Sequence, residues 1–274
     1  MVGPAVAGAM IAFVGVDGSY VVLTSFMTVG CLLILKVSQS KNRIDVSTEI
    51  EDQKGLSQIY SNLVDGFKYV FTSQTISAVI VITIFMNLLL FPYMQMVTVV
   101  SKEVLNVGPL LMGILMASDG MGALIGSIGI ASQDRMKYHG RIYLYGSLLS
   151  LGALFLFSSS SIYFISLALL LFLGIGTSGF GTMQSTIVLL VSKPELRGRA
   201  LGVVTIAIGA GPIGSLIIGA VSEWIGSSSA LMINSVLGFI LVAASGFLMP
   251  SIRGQILPAT VSNQPTRSGS VTKV

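Results

Sequence analysis

Apolar residues run along this chain in blocks too long for the core of a soluble domain. Eight stretches stand out: Gly3–Val16, Ser19–Val37, Ile76–Val99, Pro109–Ala131, Ile142–Phe157, Ile162–Val191, Ala200–Ile225 and Ser229–Met249. A helix needs about 20 apolar residues to cross a bilayer, so each stretch predicts a transmembrane helix. The first is short. It lacks the basic start and cleavage site of a signal peptide. Its shortness implies that its beginning is missing.

Polar positions cluster in two places. Residues 38–55 (SQSKNRIDVSTEIEDQKG) open the only long loop, 38–75. Leu56, Ile59, Tyr60, Leu63, Val64, Phe67, Val70 and Phe71 then recur at helical spacing, opposite Asp65 and Lys68. That period predicts an amphipathic helix over 56–73, lying on the membrane surface or against neighbouring helices. A regulatory or partner-binding helix is the other reading. From Pro250 to Val274 the chain is polar, with Pro258, Pro265 and several Ser and Thr. This predicts a disordered tail.

Composition agrees with the pattern. Only 9% of the 274 residues are charged, against about 25% in a soluble domain. This excludes a soluble enzyme, a disordered chain and a nucleic-acid binder, despite the net charge of +4. The fold class is therefore an all-α, multi-pass membrane protein whose first partner is the lipid bilayer. Cys31 is the only cysteine and His139 the only histidine, so no disulfide, cysteine metal site or Cys/His dyad forms within the chain. There is no G-x-x-x-x-G-K-[ST] loop and no H-E-x-x-H. Neither cofactor nor metal is expected, and the chain does not read as an enzyme.

If the helices alternate in direction, every Lys and Arg except Lys102 falls on one side. Basic loops stay cytoplasmic, so the C-terminus is expected in the cytoplasm. Tyr20, Tyr163 and Trp224 then sit at outer ends, where aromatic side chains collect.

The first helix pair resembles the last. Gly3-Pro4 matches Gly211-Pro212, and Gly8–Gly15 (GAMIAFVG) matches Gly219–Gly226 (GAVSEWIG). Both copies run in the same direction. Transporters are often built from two such halves, here parallel halves of six helices. On this reading four helices precede Met1.

Several segments resemble the major facilitator superfamily, and within it the transmembrane secretion effectors, or enterobactin-exporter-like permeases. Gly3–Gly8 is similar to the Gly-Pro segment of the family's fifth helix. Gly66-Phe67-Lys68-Tyr69-Val70 resembles the motif before the seventh, and Phe91-Pro92-Tyr93 the middle of the seventh. Pro194-Glu195-Leu196-Arg197-Gly198-Arg199 resembles the loop before the eleventh. The likeness covers about residues 1–250, the fifth helix to the twelfth. It implies four parts. Residues 1–37 are the last two helices of an N-terminal half, and 38–75 the cytoplasmic loop. Residues 76–249 are a complete six-helix C-terminal half, and 250–274 the tail. The family's G-x-x-x-D-R-x-G-R signature is matched loosely by Asp134, Arg135, Gly140 and Arg141, with longer spacing.

Asp119 is the one charge well inside a span. At a helix centre an Asp costs about 2.5–3.5 kcal/mol on insertion scales. Asp119 is expected either to carry a proton or bind a cationic substrate group, or to hydrogen-bond between helices. Asn87, Gln95, Thr177 and Gln184 are the other polar candidates, as substrate contacts or interhelical bonds. Gly122 and Gly126 flank Asp119 and invite close helix approach. Gly211, Ser215 and Gly219 form a small face beside Gly209 and Pro212, for flexing or packing. Arg197 and Arg199, beside Glu195, hold topology or gate.

The expected function is a secondary transporter, an exporter of small amphipathic molecules, driven by an ion gradient. The resemblance implies protons and a place in the cytoplasmic membrane. The alternative is a truncated, non-transporting membrane protein with a sensory or interaction role.

Overall fold

The computed structural model describes residues 2–36, 66, 68–133 and 137–256, and these contain helices and no strand. Among the described residues the main α-helices are α1 (Val2–Lys36), α2 (Gln74–Phe85), α3 (Tyr93–Glu103), α4 (Pro109–Ala131), α5 (His139–Ser158), α6 (Tyr163–Val191), α7 (Arg197–Ile208), α8 (Gly211–Ile225) and α9 (Ser227–Leu248). A π-helical turn, Met86–Leu90, joins α2 to α3. Seven helical stretches among the described residues are long and apolar enough to cross a membrane.

The expected first two spans are one continuous stretch, broken at Gly15, where φ is 79° and ψ 175°. That backbone is open to glycine and almost nothing else. Gly3, Ala7 and Ile11 of one arm line a single cleft with Val16, Tyr20, Leu23 and Phe26 of the other. An unbroken helix would hold Gly3 and Phe26 about 35 Å apart. The arms therefore lie side by side, and counting each gives eight spans. Gly226, between α8 and α9, has φ 84° and ψ 155°. These are the only positive-φ glycines among the described residues, and they are the pair that the sequence repeat aligns.

Two more expected spans are interrupted. Pro92 has no N–H to continue the span 74–103, and the π turn precedes it, with Phe91 N–H donating to the Met86 carbonyl at 3.0 Å. Pro212 stands in the first turn of α8, after a break at 209–210 that ends α7. A proline in mid-span removes one backbone bond and clashes with the carbonyl four residues earlier. Both interruptions follow from that.

The core lies between α2, the π turn, α5, α6 and α9, where Ile76, Met86, Tyr143, Leu151, Leu154 and Leu173 are fully buried. Lipid gives helices no hydrophobic reason to associate, so small residues bring backbones into contact. On α4, Gly122 and Gly126 press on the Leu171 and Ile175 backbone, and Gly174 of α6 on that of Asp119. Gly146 of α5 meets Gly176 and Gly179 of α6. A Cβ at Gly8 of α1 would stand 2.6 Å from the Pro109 carbonyl oxygen and 2.8 Å from Gly113 Cα. Large apolar side chains cover the outside, including Leu216, Phe164 and Trp224. A contiguous apolar exterior of this kind meets lipid, not water.

The polar segments are described only in part. Most of the amphipathic helix over 56–73 lies outside the described residues. At its end Val70 is buried, but Phe71 is exposed. The tail does not begin at Pro250. Pro250–Ile252 forms a 3-10 turn, Ile252 and Ile256 are buried, and the Ile252 carbonyl sits against Gly140. Two isoleucines in an otherwise polar segment supply that docking.

Candidate functional site

Asp119 stands at the middle of α4. Tyr93 begins α3, directly after the break at Pro92, and its side chain is buried. The Tyr93 hydroxyl donates to Asp119 Oδ2 at 2.7 Å. The other carboxyl oxygen, Oδ1, is buried and has no partner. Both residues line a cavity of about 170 Å³ with Pro4, Met94, Val97, Met116, Gly120 and Leu170. Thus α1, α3, α4 and α6 all reach it. No basic side chain lines it. The site is an acid in an apolar setting, held on one oxygen and open on the other.

A second polar cluster lies deeper. Gln184 Nε2 of α6 donates to Thr83 Oγ1 of α2 at 2.7 Å. Thr83 Oγ1 is 3.0 Å from the Tyr143 hydroxyl of α5. Tyr143 donates to the Val79 carbonyl at 2.9 Å. A phenol has one proton, so the Thr83 hydroxyl donates to Tyr143 and the chain has one direction. Asn87 Nδ2 donates to the Thr83 carbonyl at 2.9 Å. The Tyr143 and Phe180 rings stack at 5.2 Å beside it.

The structure therefore brings Asn87 and Gln184 together, but apart from the cavity at Asp119. Gln95 is exposed and joins neither cluster. Thr177 bonds its own helix at the Gly174 carbonyl, 3.0 Å away. Ser215 does the same at Gly211, 3.1 Å away. On α8 the contact runs through Gly214, pressed on the Leu88 carbonyl, while a Cβ at Gly211 would stand 3.9 Å from Asn87. A Cβ at Gly219 would meet nothing within 4 Å, so among these positions the contact seen is at Gly214. Gly209 ends α7 and Pro212 begins α8. Asp134 and Arg135 lie outside the described residues. Arg141 is exposed and donates from Nε to the Arg253 carbonyl at 3.0 Å. Glu195, Arg197 and Arg199 are exposed at the start of α7, where Gly66 rests on Arg199.

Sequence reasoning missed Tyr93, Thr83 and Tyr143 as site residues. Tyr93 was legible in part, since it completes the Phe91-Pro92-Tyr93 motif. Thr83 and Tyr143 carry no local signal, because each is a single polar group in an apolar run.

Comparison with known proteins fits these features. No curated protein matches the chain. The family described as transmembrane secretion effector matches residues 1–265, some 15 residues beyond the stretch where the likeness is visible by eye. That family supports reading the chain as a membrane transporter. The apolar helices, the twice-used glycine break and this match place the chain among the transmembrane secretion effectors of the major facilitator superfamily.

Proposed function

We propose that this transporter exports small amphipathic molecules and that protons drive it through Asp119. The carrying observation is the unpartnered Asp119 Oδ1 beside a cavity within the spans. A carboxyl group in a membrane span is costly unless something completes it. A proton on Oδ1 does so while Tyr93 holds Oδ2. The cavity, about 170 Å³, is smaller than the roughly 300–1,000 Å³ of sites for drug-sized ligands. It suits a proton or a water better than the whole solute. It also lies where α1 meets the other helices, because Pro4 borders it and the Gly8–Gly113 contact is nearby. We read residues 76–249 as a six-helix half and the arms of α1 as belonging to the other half. The site then stands at their seam, where a change of charge can bias rocking. The basic loops favour the cytoplasmic membrane and a cytoplasmic C-terminus.

The test is efflux of ethidium from cells expressing the complete gene, with and without a proton uncoupler. Uncoupler-sensitive efflux that Asp119→Asn removes supports the reading. Efflux by Asp119→Asn with an unchanged response to pH sinks it.

A further inference from the structure

A groove of about 460 Å³ opens on the outside of the bundle between α4, α5 and α6. Its floor is Gly146, Gly176 and Gly179, and its walls include Gly129, Tyr145 and Leu149. We propose that this groove is a docking site for one anionic phospholipid, with an alkyl chain in the groove and the phosphate at Arg141.

Size argues for a chain. One turn of helix, about 5.4 Å long and 10 Å across, fills about 420 Å³. The groove holds hardly more than that, a volume that a thin alkyl chain fills along its length.

Charge at the mouth argues for an anion. Gln133 lines one end. Arg141 lies one helical turn from Tyr145, and its guanidinium rests 4.2 Å over the Tyr138 ring. Its Nε is held by the Arg253 carbonyl at 3.0 Å. Those contacts fix the side chain and leave its outer nitrogens for a ligand. A planar fork already in place matches phosphate and loses little freedom on binding. Lys137 is exposed too, and over residues 133–141 the sequence sets Asp134 against Arg135, Lys137 and Arg141, a net charge of +2. A net positive charge favours a headgroup of net negative charge over a zwitterionic one.

Native mass spectrometry of the full chain in detergent, titrated with phosphatidylglycerol or phosphatidylcholine, tests the proposal. The expected result is one bound phosphatidylglycerol, held about tenfold more tightly than phosphatidylcholine. Arg141→Gln should remove that preference and leave the phosphatidylcholine affinity unchanged. Gly129→Leu should weaken both lipids, because it fills the groove; a Cβ there meets nothing within 4 Å, so packing is spared. Leu149→Phe narrows the groove from the opposite wall and gives a second reading should Gly129→Leu misfold. Equal binding of the two lipids by the wild type overturns the proposal. So does full binding by a folded groove-filling variant, displacement of the lipid by glycerol phosphate alone, or a dimer that forms across the groove and excludes phosphatidylglycerol.

Discussion

Asp119 and Thr83 sit in helices of similar apolarity, yet their polar atoms are treated in opposite ways. Around Thr83 each hydroxyl proton has an acceptor, in one direction from Gln184 to Val79, and the chain ties α2, α5 and α6 together. Around Asp119 one oxygen is bonded, one is bare, and a cavity lies alongside. A closed network in low dielectric rigidifies what it joins. An open acceptor within a span leaves a position for a proton. The two clusters flank one broken span, 74–103, whose first half carries Thr83 and whose second half begins with Tyr93. Thus one half of that span is anchored and the other is paired to the group we assign to coupling.

The sharpest way to break this contrast is Asp119→Asn. Efflux should fall to background while the purified protein melts at or above the wild-type temperature, since the variant removes a costly buried acid. A variant that unfolds but still transports when folded would reverse the roles of the two clusters.

Next in size is Gly214→Ala, which drives a Cβ into the Leu88 carbonyl at the break. Overpacking of this kind costs about 1–3 kcal/mol. Thermal unfolding in detergent should show it, whereas Gly219→Ala, with open space around it, should stay within about 0.5 kcal/mol of wild type. Equal effects would mean that α8 does not brace the break.

Tyr143→Phe should cost about 0.6–1.7 kcal/mol, from the average to the largest value typical of hydrogen bonds between membrane helices. It strips the Val79 carbonyl of a donor and the Thr83 hydroxyl of its acceptor. Efflux per folded molecule should be unchanged. Lost efflux with normal melting would move this network from scaffold to mechanism.

The helices, their approximate ends and the acid in mid-span were legible because each is a local signal. Apolar runs, Pro92, Pro212 and one buried charge need no partner to be seen. The matched glycines at 15 and 226 were legible as a repeat, although their shared positive φ needed coordinates. Pairing was not legible. Nothing in the order of residues says that Tyr93 reaches Asp119, 26 positions on, or that Thr83 lies between Gln184 and Tyr143. On α8 the three small residues at i, i+4 and i+8 look continuous in sequence and give no sign of the stripe beside them. Gly214 and Ile218, one turn apart on an adjacent stripe, are the buried pair. Ile252 and Ile256 were overlooked as anchors because the residues around them are polar.

Asn87 offers the smallest effect and the finest discrimination. Its amide donates to the Thr83 carbonyl one turn back in the same segment, so it belongs to the closed cluster by bonding. By position it belongs to the break, in the π turn and 3.9 Å from the place a Gly211 side chain would occupy. If bonding describes its role, Asn87→Ala costs about 0.6 kcal/mol and efflux keeps the wild-type dependence on pH. If position describes it, melting hardly moves and efflux falls, because a changed π turn shifts Tyr93 relative to Asp119. Measuring both on one preparation separates the two, and only the first outcome leaves the closed cluster a pure anchor.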